Sequence, residues 1–371
     1  MNILLAPDSF KGTLAASEVC DIIESALKNR ISDCNITKFP AADGGEGLCS
    51  CFSRFAKGSW ITAAAADPFG KAINAEYYLT DSGTAVIETA ACAGLPLADG
   101  RPDPTVTTTV GVGMLIRDAA ERGVKQIILG LGGSATNDCG AGMASALGFR
   151  FIDRDKNLFL PVGGTLKDIA YILPPENSLG VPVIAACDVT NPLYGKNGAA
   201  YVFAPQKGAD EKQVKLLDLG LRHMSELFAY ERGANVADMP GAGAAGGLGA
   251  GAVAFLNASL KSGIDIVLDE GNFDALAASA DIVVTGEGRF DRQSIDGKVM
   301  SGVCSRARRA GARIAAVCGC ASPDADPSVL GITWLFTASD GTHSQDELQK
   351  LCRAELYDAA CALACKIAVY R

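Results

Sequence analysis

The sequence predicts an α/β protein with two domains: an outer domain built on a doubly wound parallel sheet, and a large inserted domain of mixed α/β structure. Three observations support this prediction. The chain has 371 residues, and a typical domain has roughly 150. Its 42 glycines and 6% aromatic residues indicate aliphatic cores with many sharp strand-to-helix turns. Short apolar strands, Gly-rich or acidic loops and segments of helical period also alternate along most of the chain.

The first sixty residues predict a βαβ unit. Asn2 to Ala6 is expected to be a strand, Leu14 to Lys28 a helix with apolar residues at helical spacing, and Ile36 to Ala41 a second strand. From Trp60 to Ala90, short strands broken by two tight turns predict an antiparallel meander, with which a different domain begins.

The alternation of strands and helices then returns. The expected elements are a helix near Gly113 to Arg122, a strand at Gln126 to Leu131, a helix after Cys139, a strand at Val181 to Cys187, and a helix near Glu211 to Phe228. The last third predicts three continuously apolar strands, Ile282 to Thr285, Arg313 to Cys318 and Ile332 to Ala338, which we expect to be buried on both faces. A long helix near Leu348 to Ala368 follows them.

The two ends of the chain share one pattern, in which short apolar strands alternate with helical segments. We therefore expect residues 1–60 and 279–371 to form a discontinuous, Rossmann- or flavodoxin-like parallel-sheet domain. Residues 61–278 are expected to form the inserted mixed α/β domain. No internal repeat or low-complexity linker marks the boundaries between them.

Composition and charge exclude several classes of function. Hydrophobic residues make up 49% and charged residues 20%, which is typical of a folded globular chain. The formal net charge is −9 and no basic face runs along the sequence, so nucleic acid is excluded as a partner and any anionic ligand must be bound locally. No apolar run reaches the roughly 18 to 20 residues of a membrane helix.

Cysteine usage favours a reducing, cytoplasmic compartment. The 13 cysteines have no regular spacing, and the first strand leaves no room for a signal peptide. Cys49 with Cys51, and Cys318 with Cys320, form two C-x-C pairs, but four-Cys zinc sites usually have wider spacing. We therefore expect small buried or surface thiols.

Five loops directly follow predicted strands, where the loops of an open parallel sheet converge on ligands. The first contains Asp8, Ser9 and Lys11 and runs to Thr13. It offers a carboxylate, hydroxyls and an ammonium next to the N–H groups of a helix start. An ordinary capped turn is the alternative, but such a turn does not need Asp and Lys together.

Two further loops combine glycine with acidic residues. In Asp43 to Gly47 the glycines let the backbone approach a ligand, and the carboxylates suit Mg²⁺ or substrate hydroxyls; a tight turn explains the glycines alone. Gly286 to Asp291, followed by Ser294 and Lys298, alternates glycine with opposite charges. That pattern suits a phosphate and metal clamp, with a solvated loop of mutually paired charges as the alternative.

The remaining two loops belong to the middle of the chain. Gly130 to Asp138 joins a strand to a Gly/Ala-rich helix whose N-terminus can receive an anion, which predicts a phosphate or carboxylate cradle rather than a plain turn. It lacks the Gly-Lys-Ser/Thr ending of a P-loop. In Asp188 to Pro192 the carboxylate can serve as a general base, and an Asx turn ahead of Pro192 is an equally good explanation.

One glycine-rich segment matches a nucleotide motif literally. Gly241 to Gly246 reads G-x-G-x-x-G, but no convincing strand precedes it, and close helix packing or a helix start beside a nucleotide also explains the glycines. Asp269, after the apolar stretch Ile264 to Leu268, stands at about the 20-residue offset of a ribose-binding acid. His223 and His343 lack a visible metal or triad partner and are expected at the surface.

Taken together, these loops resemble the signatures of the bacterial glycerate kinase family. The matching strings, in family order along nearly the whole chain, are Ala6 to Lys11, Ala42 to Gly47, Gly132 to Asp138, Cys187 to Pro192, Pro240 to Gly247 and Thr285 to Gly288. The resemblance implies ATP-dependent phosphorylation of D-glycerate with Mg²⁺, giving 2-phosphoglycerate in glyoxylate, glycolate or sugar-acid breakdown. It also implies two α/β domains that face each other across a cleft. Cys139 departs from the pattern, because relatives commonly have Gly there.

With this resemblance, roles can be assigned to the candidate residues for in-line phosphoryl transfer, in which positioning and charge neutralisation dominate. We expect Asp188 to orient or deprotonate the glycerate hydroxyl, and Lys11 and Arg289 to hold the glycerate carboxylate or the phosphoryl group. The expected substrate-binding residues are Asp8, Ser9, Asp43, Asn191 and Asp291. The expected ATP-phosphate residues are Gly132, Gly133, Ser134, Thr136, Asn137 and Lys298. The expected Mg²⁺ ligands are Asp43 and Glu287, with Asp8 and Asp291 as competitors.

Two other classes of function stay open at this point. The glycine motif and the parallel sheet also suit a nicotinamide-dependent hydroxy-acid dehydrogenase. A non-enzymatic, metabolite-binding regulator has a similar two-lobed architecture. The expected oligomeric state is a monomer or a homodimer.

Overall fold

The computed structural model describes residues 1–10, 12–41, 47–98, 100, 102–295 and 299–370. Within them the strands are β1 (Asn2–Leu5), β2 (Asn35–Lys38), β3 (Gly58–Ala66), β4 (Ala72–Thr80), β5 (Thr84–Glu88), β6 (Gln126–Gly130), β7 (Arg150–Asp153), β8 (Leu158–Phe159), β9 (Ile169–Leu173), β10 (Val183–Ala186), β11 (Ser259–Lys261), β12 (Ile282–Thr285), β13 (Arg289–Phe290), β14 (Arg313–Cys318), β15 (Cys320–Ala321) and β16 (Ile332–Thr337).

The α-helices in the same ranges are α1 (Ala16–Arg30), α2 (Leu48–Phe55), α3 (Ala90–Ala93), α4 (Val110–Glu121), α5 (Ala141–Ala146), α6 (Ala199–Phe203), α7 (Glu211–Arg232), α8 (Ala244–Leu256), α9 (Gly263–Glu270), α10 (Phe273–Ala278), α11 (Arg292–Ile295), α12 (Val299–Arg309) and α13 (Gln345–Val369). Across the described part of the chain, none of these helices has the length and apolar character needed to span a bilayer. All 13 cysteines are free thiols.

The chain forms two compact units. Unit 1 consists of Met1–Asp43 and Ile264–Arg371, and unit 2 of Gly44–Gly263. Both divisions lie nearer the N-terminus than the sequence-based boundaries at 60/61 and 278/279. At the first division, α2 belongs to unit 2 because it packs against β4 and β5, and the Cys49 thiol donates to the Val86 carbonyl 3.1 Å away. At the second division, α9 and α10 belong to unit 1, because Arg306 of α12 pairs with acidic residues on both helices.

Unit 1 is built on a five-stranded parallel sheet in the order β16-β14-β12-β1-β2. Alternate residues of β1, β12 and β14 face a core that they share with α1 and α13, and α12 packs on β12 and β14. The doubly wound parallel sheet is therefore confirmed. The prediction of burial on both faces is correct for β12 and β14 but wrong for β16, since β16 is an edge strand and most of its residues are partly exposed.

Unit 2 contains a six-stranded mixed sheet in the order β11-β10-β6-β5-β4-β3. The four strands from β11 to β5 are parallel; β4 pairs antiparallel with β5, and β3 pairs antiparallel with β4, which confirms the predicted meander. A second, three-stranded antiparallel sheet of β8, β7 and β9 was not predicted. Its strands are short, and β8 has two residues, so their alternation is too brief to recognise.

Capping residues determine where the two long helices α7 and α13 begin. Asp210 accepts hydrogen bonds from the backbone nitrogens of Lys212 and Gln213, both at 2.8 Å, and so starts α7. Ser344 donates its backbone N–H to Glu347 at 2.9 Å in a capping box that starts α13. This capping box fixes the loop between β16 and α13 at the point where it joins α13.

In each unit the parallel strands end at one edge of the sheet. In unit 1 this edge carries the loops that follow β1, β12, β14 and β16. In unit 2 it carries the loops that follow β5, β6, β10 and β11. These two edges are where an open α/β sheet positions ligand-binding side chains.

Candidate functional site

A cavity of about 460 Å³ opens at the carboxyl edge of the sheet in unit 1. The loops after β1, β12, β14 and β16 line it together with the first turns of α13. Part of its wall is apolar and comes from Phe10, Leu348 and Cys352. The polar side chains around it are those of Asp8, Ser9, Thr13, Glu287, Arg289, Asp291, Ser339, His343 and Glu355. Five predicted site residues are therefore brought together: Asp8, Ser9, Glu287, Arg289 and Asp291.

The loop after β1 is fixed to its neighbour by backbone and side-chain contacts. Asp8 donates its backbone N–H to the Gly286 carbonyl at 2.8 Å, and its buried carboxylate accepts from the backbone nitrogen of Ser9 at 2.6 Å. The expected helix-start donors are partly used, because Glu18 accepts the N–H of Ala15 at 3.0 Å.

The loop after β12 is more ordered than a mobile, charged loop. Arg289 lies in β13, which pairs in parallel with β15, so backbone hydrogen bonds fix the segment. Ser294 accepts the backbone N–H of Asp291 at 2.9 Å through its hydroxyl oxygen. Glu287 is buried, Asp291 is half-buried and Arg289 is exposed. The exposed guanidinium of Arg289 can therefore bind an anionic ligand at this cavity, which the buried carboxylate of Glu287 also lines.

His343 is a residue that the sequence analysis placed wrongly. The structure does not leave it alone at the surface: it is half-buried, lines the unit 1 cavity, and its Nε2 lies 2.8 Å from Oε1 of Glu355 on α13. The twelve residues that separate the pair hide it in the sequence, because one partner lies in a loop and the other in a helix. His223 is also half-buried, with Nε2 2.7 Å from the Ile169 carbonyl.

Three predicted site residues, Lys11, Asp43 and Lys298, lie outside the described residues. Among the side chains that the structure does describe, no group of three or more His, Cys, Asp or Glu is arranged to hold a metal ion. The predicted ligand Glu287 shares the unit 1 cavity with Asp8 and Asp291.

In unit 2, Asp188 lies just past the end of β10 and is oriented by the neighbouring strand. Its Oδ1 accepts from the backbone nitrogen of Gly263 at 2.9 Å and from the Ser262 hydroxyl at 3.1 Å. These donors come from the end of β11, outside its own loop, so Asp188 has a fixed direction that a local turn does not supply. Asn191 in the same loop donates from Nδ2 to the Asn197 carbonyl at 2.8 Å.

The predicted anion cradle after β6 differs from expectation at the helix start. The buried carboxylate of Asp138 accepts the N–H groups of Gly140 and Gly142, both at 3.1 Å. It also accepts from the backbone nitrogen and hydroxyl of Thr109, at 2.7 and 2.8 Å. Burial raises the pKa of Asp138, and these four hydrogen bonds to its oxygens oppose that change. The start of α5 is therefore already occupied by a carboxylate of the chain itself.

The other polar groups of this loop divide into two sets. Gly133 is exposed and Gly132 partly so, which leaves their backbone accessible, whereas Ser134, Thr136 and Asn137 are buried. Within the described residues, the two polar atoms of the Asn137 amide and the hydroxyl oxygen of Thr136 have no hydrogen-bond partner. Buried amides and hydroxyls of folded chains are normally paired, so these groups have unused capacity for a polar ligand.

Lys207 is a second residue that the sequence analysis missed. It lies at the end of a short 3₁₀ turn, Pro205–Lys207, and is 3% exposed. Its Nζ donates to the Ser134 hydroxyl oxygen at 2.8 Å and to the Thr136 carbonyl at 2.7 Å. Burial lowers the pKa of Lys207 to about 7, although the Asp138 carboxylate acts in the opposite direction. The sequence feature that could have indicated its burial is that Lys207 is the one charged residue in the segment Ala-Pro-Gln-Lys-Gly-Ala.

The glycine motif at 241–246 has a packing role. A turn rather than a strand precedes it, as predicted, and Gly246 has a φ of 69°. A Cβ at Gly246 would lie 2.1 Å from the Thr136 carbonyl oxygen, and the Gly246 carbonyl accepts the N–H of Cys139 at 3.1 Å. Cys139 itself has a φ of 53°, a left-handed conformation that glycine adopts at lower cost. Close backbone packing thus explains these glycines.

Asp269 does not act as the acid of a dinucleotide motif. It lies in α9, and its carboxylate pairs with Arg306 at 2.6 Å. Arg306 also pairs with Asp265 at 3.0 Å and with Asp274 at 3.6 Å. The apolar stretch before Asp269 is a helix and not the strand that a ribose-binding acid follows, so the nicotinamide alternative loses its support.

Comparison with known proteins gives one consistent result. The model of the glycerate kinase family matches residues 3–368. A glycerate 2-kinase of Escherichia coli K12 is 41% identical, with 97% of each chain covered. A glycerate kinase of Bacillus cereus is also 41% identical, over 95% of this chain and 94% of that protein. A crystal structure described as “putative glycerate kinase 2” from Salmonella typhimurium LT2 has a TM-score of 0.86 at 38% identity, covering 100% of this chain and 98% of that one.

Proposed function

The chain belongs to the glycerate kinase family, and from this premise we propose that it transfers the γ-phosphoryl group of ATP to the 2-hydroxyl of D-glycerate, with Mg²⁺. The observation that carries the proposal is the family match across residues 3–368. The enzyme is accordingly a kinase, a phosphotransferase that acts on an alcohol group of glycerate. The name of the Escherichia coli relative, glycerate 2-kinase, supports the choice of the 2-hydroxyl.

We assign the nucleotide to the cavity of unit 1. Its volume of about 460 Å³ is within the range of roughly 300 to 1,000 Å³ of ligand pockets. The apolar wall of Phe10, Leu348 and Cys352 suits a nucleobase, and Arg289 offers a planar set of donors to phosphate oxygens. The location at the carboxyl edge of a parallel sheet supports the same assignment.

The carboxylates of this cavity fit a magnesium ion. Mg²⁺ takes oxygen ligands, and one or two carboxylates with substrate phosphates and waters complete its shell. Glu287 would hold it, with Asp8 or Asp291 as the second carboxylate and the predicted ligand Asp43 as a further candidate. When bound with the nucleotide, Mg²⁺ neutralises charge on the β- and γ-phosphates.

We propose that Asp188 accepts the proton of the glycerate 2-hydroxyl as its oxygen attacks phosphorus. Its orientation by Gly263 and Ser262 supports this role, because a general base must be held within hydrogen-bond reach of the hydroxyl. We retain Ser9 and Asn191 as substrate-binding residues, and Lys11 and Arg289 as the cations that hold the substrate carboxylate or the phosphoryl group. Lys298 and the loop from Gly132 to Asn137 are retained for the phosphates.

One experiment tests the reaction and its regiochemistry together. The purified chain is incubated with ATP, Mg²⁺ and D-glycerate, and the products are followed by ³¹P NMR. We expect ADP and 2-phosphoglycerate in equal amounts, and no product when the metal is chelated. A resonance of 3-phosphoglycerate would overturn the choice of hydroxyl, and no glycerate-dependent ADP formation would overturn ATP as the donor.

A further inference from the structure

Lys207 has an unusual environment for a lysine. Lysines are among the residues least often buried, yet this one is 3% exposed. Both acceptors of its amine, the Ser134 hydroxyl oxygen and the Thr136 carbonyl oxygen, belong to the glycine-rich loop after β6. Seventy-three residues separate Lys207 from Ser134, so the contact fastens this loop to a distant part of unit 2.

The amine of Lys207 donates its hydrogen bond to the Ser134 oxygen. Either protonation state of a lysine supplies the two N–H donors that this bond and the bond to the Thr136 carbonyl require. The hydroxyl hydrogen of Ser134 is then left to donate to another group. Burial lowers the pKa of Lys207, and the buried Asp138 carboxylate opposes that change. The same loop has the accessible backbone of Gly132 and Gly133 immediately before Ser134.

Holding the loop in place does not by itself explain why a lysine occupies this position. Burying an amine is unfavourable, and a neutral donor such as a side-chain amide can make two hydrogen bonds without burying an ionisable group. Neighbouring groups point to a ligand independently: both amide atoms of Asn137 and the Thr136 hydroxyl are buried and lack hydrogen-bond partners within the described ranges. A loop with a directed hydroxyl, an unpaired amide and accessible glycine backbone is suited to an oxyanion.

We propose that Lys207 is a positioning residue for oxyanion binding by the loop from Gly132 to Asn137: its amine holds the loop in place and leaves the Ser134 hydroxyl hydrogen to donate to the ligand. This inference rests on the proposed function, which assigns the loop to the phosphates of ATP; the glycerate carboxylate is the other oxyanion of the reaction, and the test distinguishes the two. Lys207 does not touch the reacting atoms. It acts through Ser134.

The test separates positioning from simple stability. Lys207→Met keeps most of the side-chain volume and removes the donors; we expect the KM of either ATP or glycerate to rise about tenfold or more and the KM of the other substrate to stay unchanged. The midpoint of thermal unfolding should fall, because the buried Thr136 carbonyl loses its donor. The substrate whose KM changes identifies the oxyanion. The control is Lys215→Met, at an exposed position of α7 with the same change of charge, and its kinetics should match those of the wild type.

Ser134→Ala and the double variant complete the experiment. If Lys207 acts through Ser134, the double variant raises the same KM no more than the larger of the two single changes does. Single effects that multiply in the double variant would overturn the inference, and so would unchanged KM values in a folded Lys207→Met. If Lys207→Met does not fold, an unchanged KM in Ser134→Ala overturns it instead. A wild-type chain without glycerate turnover would contradict the proposed function before any variant is compared.

Discussion

The carboxylate of Asp188 lies 2.9 Å from the backbone nitrogen of Gly263, across the gap between two neighbouring strands. Because β10 and β11 are parallel and paired, the residues that follow them emerge side by side. A backbone donor cannot rotate away as a side chain can, so the carboxylate is held in one direction. This geometry gives Asp188 the fixed orientation that a general base needs.

Replacing Asp188 with Asn keeps the size of the side chain but removes its ability to accept a proton. We expect kcat to fall by about 10²- to 10⁴-fold with ATP and D-glycerate, with smaller changes in both KM values. Steady-state kinetics with coupled detection of ADP measures this. Asp168→Asn, the same change at an exposed position of unit 2, should leave kcat unchanged. A kcat for Asp188→Asn near that of the wild type would remove the proposed role.

Arg289 is expected to act through the geometry of its guanidinium as well as through its charge. Arg289→Ala should lower kcat/KM for ATP by about 10- to 100-fold, because it removes charge-assisted hydrogen bonds to phosphate. Arg289→Lys should recover part of that loss, since lysine restores the charge but not the planar pair of donors. The matched control is Arg292→Ala, whose exposed side chain pairs with Asp324 at 3.4 Å. Equal kinetics for the Arg289→Ala and Arg292→Ala variants would argue against phosphate binding by Arg289.

Gly246 and Gly233 allow the cost of a close contact to be separated from that of a left-handed backbone. Both have positive φ, 69° and 64°, but a Cβ at Gly246 would lie 2.1 Å from the Thr136 carbonyl oxygen, and a Cβ at Gly233 would meet nothing within 4 Å. We expect Gly233→Ala to cost about 1 kcal/mol and Gly246→Ala about 3 kcal/mol or more. Gly246→Ala should also lower activity, since it displaces the loop at 136–139.

Thermal or urea unfolding of the two glycine variants measures the difference in stability. Equal destabilisation by both substitutions would mean that the loop at 136–139 yields to the added methyl group. In that case the close contact would not determine the position of the loop.

Lys207 should make stability depend on pH in a predictable direction. Its pKa is about 7 in the folded chain, against a usual value of 10.5. Between these values the unfolded chain binds a proton that the folded chain does not bind, so stability rises with pH across this window. From about pH 7 to about pH 9 we expect the wild type to gain about 1 to 2 kcal/mol relative to Lys207→Met. Parallel stability curves of the two proteins would contradict this.

The sequence was informative wherever function depends on where a strand ends. The residues Asp8, Ser9, Glu287, Arg289 and Asp291 follow two strands of one parallel sheet, so their common location follows from the order of strands and loops. The apolar runs of β1, β12 and β14 were recognised for the same reason: central parallel strands are buried on both faces.

The contacts that the sequence did not reveal are between distant residues. The amine of Lys207 reaches Ser134, and the side chain of His343 reaches Glu355 from a loop to a helix. Local patterns contain no information about such partners. The start of α5 was misjudged for a related reason, since the Asp138 carboxylate that follows the glycines binds the helix N–H groups itself.

The discontinuity of unit 1 has a consequence for protein synthesis. Ile3 in β1 pairs with Ile282 in β12, whereas unit 2 is one continuous segment. A ribosome that adds about 5 to 20 residues per second takes roughly 15 to 55 s to translate the stretch between these two partners. During that time unit 2 emerges whole, and the apolar strand β1 has no central neighbour to pair with. The strand β1 can therefore complete its pairing with β12 only after residues 282 to 285 have been synthesised.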